Sequence, residues 1–275
     1  MNAQENAEQR IAFGQEKITW INGRGFYTLY LKEVQRFLKI HLQTIWAPAL
    51  MTLMFMVIFL IALGRGGVQI AGVPYATFLV PGLIAMAMMQ NAFANSSSSL
   101  VISKIQGNII DILMTPLSAI EILLAMAGSA VTRSLCIGFA LMLIMYAWPS
   151  ARIIPHHPLV ALYFAVMGSL MLGIIGMIAG IWAARFDHIA SVTNFFIQPL
   201  SLLSGTFYSI SALPSFWVKL SNFNPFFYVI DGVRYGFIGN SEGNILLEAL
   251  ALAIINMGLI ATGYRLLQKG WKLKA

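Results

Sequence analysis

The chain has 275 residues, of which 59% are hydrophobic and 10% charged, with a formal net charge of +7 and a mean hydropathy of +0.77. A water-soluble domain runs nearer half apolar and a quarter charged, so this composition excludes one, and a single cysteine excludes a disulfide scaffold. The basic balance points to membrane topology rather than nucleic acid, because the lysines and arginines gather around apolar stretches.

Residues 1–24 are expected to form a flexible cytoplasmic N-terminus. The first ~40 residues include Glu5, Glu8, Glu16 and Glu33 and lack a short apolar core before a cleavage site, so they do not read as a signal peptide. Residues 25–41 form the first predicted helix. In GFYTLYLKEVQRFLKI (25–40), Tyr27, Tyr30, Leu31, Val34, Phe37 and Leu38 recur at helical spacing, with Lys32, Glu33, Gln35, Arg36 and Lys39 on the other side. A basic amphipathic helix of this kind lies in the cytoplasmic interface with its cations toward anionic lipid. The pattern fits a membrane anchor, and equally an anchor that also braces a cytoplasmic partner.

A bilayer core of ~30 Å takes about 20 apolar residues in a helix. Six stretches qualify: 43–63, 75–96, 121–148, 159–184, 189–210 and 245–267. None alternates as a barrel strand would, so the fold class is an all-α membrane protein with six transmembrane helices. Asn194, Gln198 and Pro199 interrupt the fifth. Between spans two and three, SKIQGNIIDILMTPLS (103–118) predicts a short cytoplasmic helix over 103–116. It places Lys104, Asn108 and Asp111 on one face and Ile105, Ile109, Ile112 and Leu113 on the other, ending at Pro116. That segment is either a docking element or an ordinary connector. Between spans five and six, 205–243 holds ten aromatic residues, Trp217 and Tyr228 among them, with Pro214 and Pro225 where helices start. Two short helices lying along or dipping into the outer interface are expected. Asp231 and Arg234 are spaced to pair on the second.

Sidedness follows from the cations. Arg10, Lys17, Arg24, Lys32, Arg36, Lys39, Lys104, Arg185, Arg265, Lys269, Lys272 and Lys274 fall on one side, against Arg65, Arg152, Lys219 and Arg234 on the other. Both termini are therefore expected in the cytoplasm, and an even number of spans agrees.

Catalytic chemistry is missing. No G-x-x-x-x-G-K-[ST] occurs, and GRGG at 64–67 lacks the required lysine and hydroxyl. His156 and His157 have no carboxylate or cysteine at ligand spacing, and Cys136 lies inside the third span, so no metal or cofactor site and no enzyme is expected. Arg133 is the ionisable residue well inside a span, placed to snorkel or to pair with a neighbouring helix; Glu121 and Glu248 stand near span ends, within reach of water. No run of midplane acids marks a proton-driven carrier, so uphill transport would draw its energy from another subunit. Polar residues concentrate in span one (Thr44, Thr52), span two (Gln90, Asn91, Asn95) and span five (Asn194, Gln198). They either line a pathway or join helices together. Gly176 and Gly180 form a G-x-x-x-G packing face in span four.

The stretches FLVPGLIAMAMMQNAFANSSSSL (78–100), IQGNIIDILMTPLSAIEIL (105–123) and LSGTFYSISALPSFWVKLSNFNPFFYVIDGVRYGFIG (203–239) resemble the permease subunits of ABC-2 type exporters, in particular small bacterial inner-membrane permeases of the nodulation, drug and polysaccharide export type. The resemblance covers nearly the whole chain. It implies a permease domain over 42–268 with a basic cytoplasmic tail at 269–275, in a homodimer served by two copies of a separate cytoplasmic ATPase that binds ATP and Mg. It implies that 25–41 is an interface helix. It also implies that 103–116 is a coupling helix whose Lys104, Gln106, Asn108, Asp111, Thr115 and Pro116 meet the ATPase. The region of Pro214, Trp217, Pro225, Tyr228, Asp231 and Arg234 would be re-entrant and close the outer mouth. Membrane lipid is the remaining partner, and nucleic acid is not one. The alternative reading is a stand-alone channel or ion-coupled carrier, which wants rings of charge or midplane acids.

Overall fold

The computed structural model describes residues 22–63, 69–70, 72–146 and 153–270. The N-terminus through residue 21, the GRGG segment with Arg65, Arg152, and the basic tail from residue 271 lie outside the described residues. The amphipathic helix is α1 (Gly23–Lys39), capped by the Asn22 side chain, which accepts from Gly25 N at 2.9 Å. A π turn (Leu42–Trp46) leads into α2 (Ala47–Leu63). A two-residue hairpin, β1 (Gln69–Ile70) against β2 (Val73–Pro74), precedes α3 (Tyr75–Ile105). Next come α4 (Ile109–Leu113), α5 (Ala119–Tyr146) and α6 (Pro158–Trp182). Among the described residues, five helical stretches are long and apolar enough to cross a membrane: Leu42–Ala62, Tyr75–Ile105, Ala119–Tyr146, Pro158–Trp182 and Ile245–Lys269, the last being α11.

The predicted fifth span is segmented and shorter than expected. It runs as α7 (Phe186–Val192), a π turn (Thr193–Ile197) and α8 (Gln198–Leu202), of 7, 5 and 5 residues, and the chain turns at Leu203 instead of continuing to residue 210. The two π turns share a cause. Pro48 and Pro199 each stand two residues beyond one, and a proline ring collides with the carbonyl four residues back in a regular helix. One extra residue in the turn moves that carbonyl away.

Beyond the fifth stretch lie a 3₁₀ turn (Ile210–Ala212), α9 (Ser215–Asn222) and α10 (Pro225–Ile238). Pro214 and Pro225 start these two helices, as expected. Helix α10 is not a surface helix: Phe226, Val229, Ile230, Val233 and Phe237 are buried in the main core with α3 and α6.

Helix α3 is the hub, buried almost all round, whereas α2 and α11 are buried along few residues. The outward side chains of those two, including Leu50, Met54, Ile58, Leu250, Ile254 and Met257, are large and apolar, which only lipid or another protein surface accommodates. Close approach of α6 to α3 depends on glycine. A Cβ at Gly176 would stand 2.4 Å from the Phe93 carbonyl oxygen, and one at Gly180 2.9 Å from Leu100 Cβ. Both residues of the predicted glycine motif therefore face α3. A second, smaller core at the α1 end joins Leu29, Ile109, Ile112, Leu123, Met126, Met177 and Leu267.

Gly176→Ala is expected to force α6 away from α3 and destabilise the chain by about 1–3 kcal/mol. Gly258→Ala, where nothing lies within 4 Å of the new Cβ, is expected to change little. Thermal unfolding of the two variants in detergent, followed by size-exclusion fluorescence, makes the comparison.

Candidate functional site

The predicted helix over 103–116 is divided. Helix α3 runs on through Ile105, Gly107 takes φ +76°, and α4 occupies only Ile109–Leu113. That left-handed residue turns the chain, which a side chain would resist. Lys104 and Asp111 consequently do not share a helix. The Lys104 ammonium donates to the carbonyls of Ile181 and Ala183 at the end of α6, where orphan carbonyls favour a cation. Ile105, assigned to the apolar face, is exposed instead, while Ile109 and Ile112 anchor α4 in the smaller core. The tip thus offers Gln106, Asn108, Asp111, Thr115 and Pro116, all exposed, beside exposed Ile105, Ile110 and Met114, the last 80% accessible.

This tip is tied to its neighbours by Glu121. Its Oε2 accepts from Ser118 N and Oγ, both at 2.7 Å, and its Oε1 accepts from Asn22 N at 2.5 Å. Asn22 Nδ2 in turn donates to the Pro116 carbonyl at 3.2 Å. Ser118 and Glu121 form a capping box at the start of α5, a spacing legible in SAIE (118–121). Glu121 is therefore buried and engaged, not reaching water as expected, and it joins α1, the tip and α5.

Deeper along the bundle, the polar residues of α3 part to two sides. Gln90 lies with Ser97, Ser98, Thr193 and Gln198 around a half-open cavity of about 160 Å³ between α3 and the fifth stretch, its Nε2 3.4 Å from Gln198 Oε1. Asn194 is exposed on that same stretch. Asn91 and Asn95 turn the other way and each receive an arginine. Arg133 NH2 donates to Asn91 Oδ1 at 3.1 Å, and Arg36 NH2 donates to Asn95 O and Oδ1 at 3.0 and 3.1 Å. Asn95 Nδ2 donates to Ser129 Oγ at 3.2 Å. Arg36 also pairs with Glu33 at 3.0 Å, and Glu33 accepts from Ser99 Oγ at 2.7 Å. Glu33 is only 2% exposed, so the polar face of α1, expected to turn its cations toward anionic lipid, turns partly into the protein. Thr44 and Thr52 bond main-chain carbonyls, Thr44 Oγ1 to Phe37 O at 2.7 Å and Thr52 Oγ1 to Pro48 O at 2.9 Å.

At the opposite end, the expected Asp231–Arg234 pair is replaced by a larger arrangement. Asp231 caps the turn after α10, accepting from Ser241 Oγ at 2.8 Å and from the main-chain nitrogens of Glu242 and Gly243. Arg234 packs over the Phe78 ring at 3.8 Å, donates to Gly205 O at 2.6 Å and pairs with Glu242 Oε1 at 3.9 Å. The other Glu242 oxygen accepts from Ile210 N at 2.8 Å. Burial draws the Arg234 pKa down, and the carboxylates of Asp231 and Glu242 oppose that. Glu248, expected to reach water, is buried beside this cluster. Trp217 is exposed on α9, and the Tyr228 hydroxyl donates to Asn222 O at 2.5 Å.

Among the described residues no cluster of His, Cys, Asp and Glu could hold a metal ion.

The sequence model of the family described as ABC-2 type transporter matches residues 24–238. The chain is 31% identical over 248 residues to the inner membrane transport permease YadH of Escherichia coli (strain K12), an alignment covering 90% of this chain and 96% of that one. It is 27% identical over 192 residues to nodulation protein J of Sinorhizobium fredii (strain NBRC 101917 / NGR234), covering 68% of this chain and 71% of the relative. Nodulation protein J of Rhizobium leguminosarum bv. viciae is 27% identical over 208 residues, at 72% and 78%.

Glu242 is the joint between Arg234 and the main chain at Ile210. Glu242→Ala removes the ion-pair partner of a buried guanidinium and is expected to destabilise by about 3 kcal/mol. Hydrogen exchange should quicken at the 203–213 segment and stay unchanged at the α4 tip.

Proposed function

The chain belongs to the ABC-2 type transporter family, and on that premise we propose that it is the transmembrane permease subunit of an ATP-driven exporter. Two copies form the translocation pathway, and two copies of a separate cytoplasmic ATPase, which bind ATP and Mg, drive it. The protein resides in the bacterial inner membrane with both termini in the cytoplasm. The segmented stretch from Phe186 to Leu202 counts as the fifth of six spans.

The observation that carries this reading is the exposed tip around α4, linked through Glu121 and Asn22 to both α1 and α5. Asn108, Asp111, Thr115 and Pro116 offer an ATPase a polar surface, with Ile110 and Met114 as apolar knobs. A push on the tip is passed to α1 and α5 together because hydrogen bonds and the smaller core hold the three as one body. Lys104 contributes by fixing the end of α3 to the end of α6. Gln90, Gln198 and Asn194 line the route beside the cavity of about 160 Å³. Helices α9 and α10, with Pro214, Trp217, Pro225 and Tyr228, close the outer mouth, held by the contacts of Asp231 and Arg234. ATP binding by the partner acts by favouring one of two subunit arrangements over the other.

Gentle extraction of the tagged chain from its host is expected to bring down a P-loop ATPase in stoichiometric amount, with ATP hydrolysis in the eluate. Asp111→Lys is expected to weaken that association by about tenfold or more while membrane insertion stays intact. Retention of the ATPase by a variant with residues 106–111 scrambled would refute the assignment of the tip. A clean homo-oligomer that passes ions in liposomes would favour the channel reading.

A further inference from the structure

Arg133 stands 14 residues into α5, about 21 Å along its axis from the first turn. Its side chain is 7% exposed, its one hydrogen bond goes to the neutral amide of Asn91, and its Nε has no partner. Among the described residues no carboxylate pairs with it. Arg36 acts on it as a second like charge, and the acid of that neighbourhood, Glu33, is already paired with Arg36. Two guanidiniums therefore meet one carboxylate, leaving a net charge of one on this cluster. A guanidinium does not shed its proton in a protein. An unbalanced charge in the low-dielectric part of a bundle is strongly unfavourable without a counter-ion.

The remaining carboxylates of the described bundle are committed elsewhere. Glu121 holds the junction of α1 and α5, Asp111 is exposed on the tip, Asp187 is exposed on α7, and Asp231, Glu242 and Glu248 gather at the far end. We infer that Arg133 and Arg36 form a binding site for a phosphate-type oxyanion with a single negative charge. A planar guanidinium fork fits two oxygens of such a group, and one negative charge neutralises the cluster. The site has an open edge, since the Arg36 side chain keeps 25% of its surface accessible. Ile40, one turn on from Arg36, is an exposed apolar residue, so an amphipath can lay its tail there while its head group reaches the arginines. Asn91 and Asn95, one turn apart on the hub helix, hold the two guanidiniums in place. The oxyanion arrives either on a lipid of the surrounding leaflet or on a water-soluble molecule. In the first case the chain handles a phosphate-bearing amphipath, a substrate class that rests on the permease reading above.

The test uses the full chain in phosphatidylcholine nanodiscs, with the unfolding midpoint read from tryptophan fluorescence. Two probes are applied: phosphatidylglycerol as a minor lipid, and inorganic phosphate in the buffer. At least one is expected to raise the midpoint of the natural chain. The first identifies a lipid source and the second a soluble one. Arg133→Gln is expected to need about tenfold more of the active probe for the same effect, and Lys219→Gln, an exposed cation elsewhere, to behave as the natural chain. Asn91→Asp decides the matter even if Arg133→Gln does not fold. It supplies the missing carboxylate from within, so it should raise the midpoint without any probe and abolish the response. If neither probe moves the natural chain, or if Asn91→Asp responds like it, the site does not exist. ATPase co-purification from the same preparation reports on the permease reading separately, because anion binding does not require the partner.

Discussion

A membrane helix buried on every side has no lipid to face and no water to reach, so its neighbours must satisfy each polar group that it carries. Helix α3 is under that constraint, and much of the structure answers to it. Gly176 and Gly180 bring α6 within backbone distance of it. Ser129 on α5 accepts from Asn95, Arg133 donates to Asn91, and Arg36 crosses from the interface helix to reach Asn95. Even the main-chain carbonyls of α3 take hydroxyls, as when Ser97 donates to Phe93 O at 2.8 Å. The polar residues of α3 thus act as fasteners. They fix the rotation of α5 and the docking of α1, which apolar contacts alone would leave open.

At the two ends of the bundle, short elements are held by single carboxylates that each serve several donors. Glu121 binds Asn22 and Ser118 at one end; Asp231 and Glu242 bind the 241–243 turn, Ile210 and Arg234 at the other. A carboxylate with two oxygens can join three chain segments where an amide could not, because it accepts through both. The tip is attached through the Glu121 joint and the side chains of Ile109 and Ile112, whereas α3, α5, α6 and α10 share the main core.

The long helices were legible because their hydropathy is strong and a bilayer sets their length. Proline signals also worked where they acted locally, at the starts of α9 and α10. What the sequence hid was long-range or conformational. Periodicity carried the pattern straight through Gly107, since a glycine in a helical run does not announce a left-handed φ. Glu33 and Arg36 look like solvated residues of an amphipathic helix, and only the approach of α3 turns them inward. Arg234 was placed opposite the wrong acid because Glu242 lies past a turn whose geometry Asp231 creates. The π turns ahead of Pro48 and Pro199 follow from proline chemistry, but a kink or a break would have relieved the same clash.

The order of the helices along the chain bears on how the protein is made. The most apolar 18-residue part has a mean hydropathy of 2.4 in Leu42–Ala62, falling to 1.4 and 1.6 in Tyr75–Ile105 and Ala119–Tyr146, before rising to 2.2 in Pro158–Trp182. The two least lipid-compatible helices thus leave the ribosome after a strongly apolar one and before α6, whose glycine face completes their packing. Until α5 emerges, Asn91 and Asn95 lack Arg133 and Ser129, and until α6 emerges α3 lacks the glycine face it packs against, so the helix is a poor candidate for release into lipid on its own. Biogenesis therefore favours holding α2, α3 and α5 together at the insertion site until α6 is synthesised, so that the hub enters the bilayer as part of a group rather than as a lone hairpin.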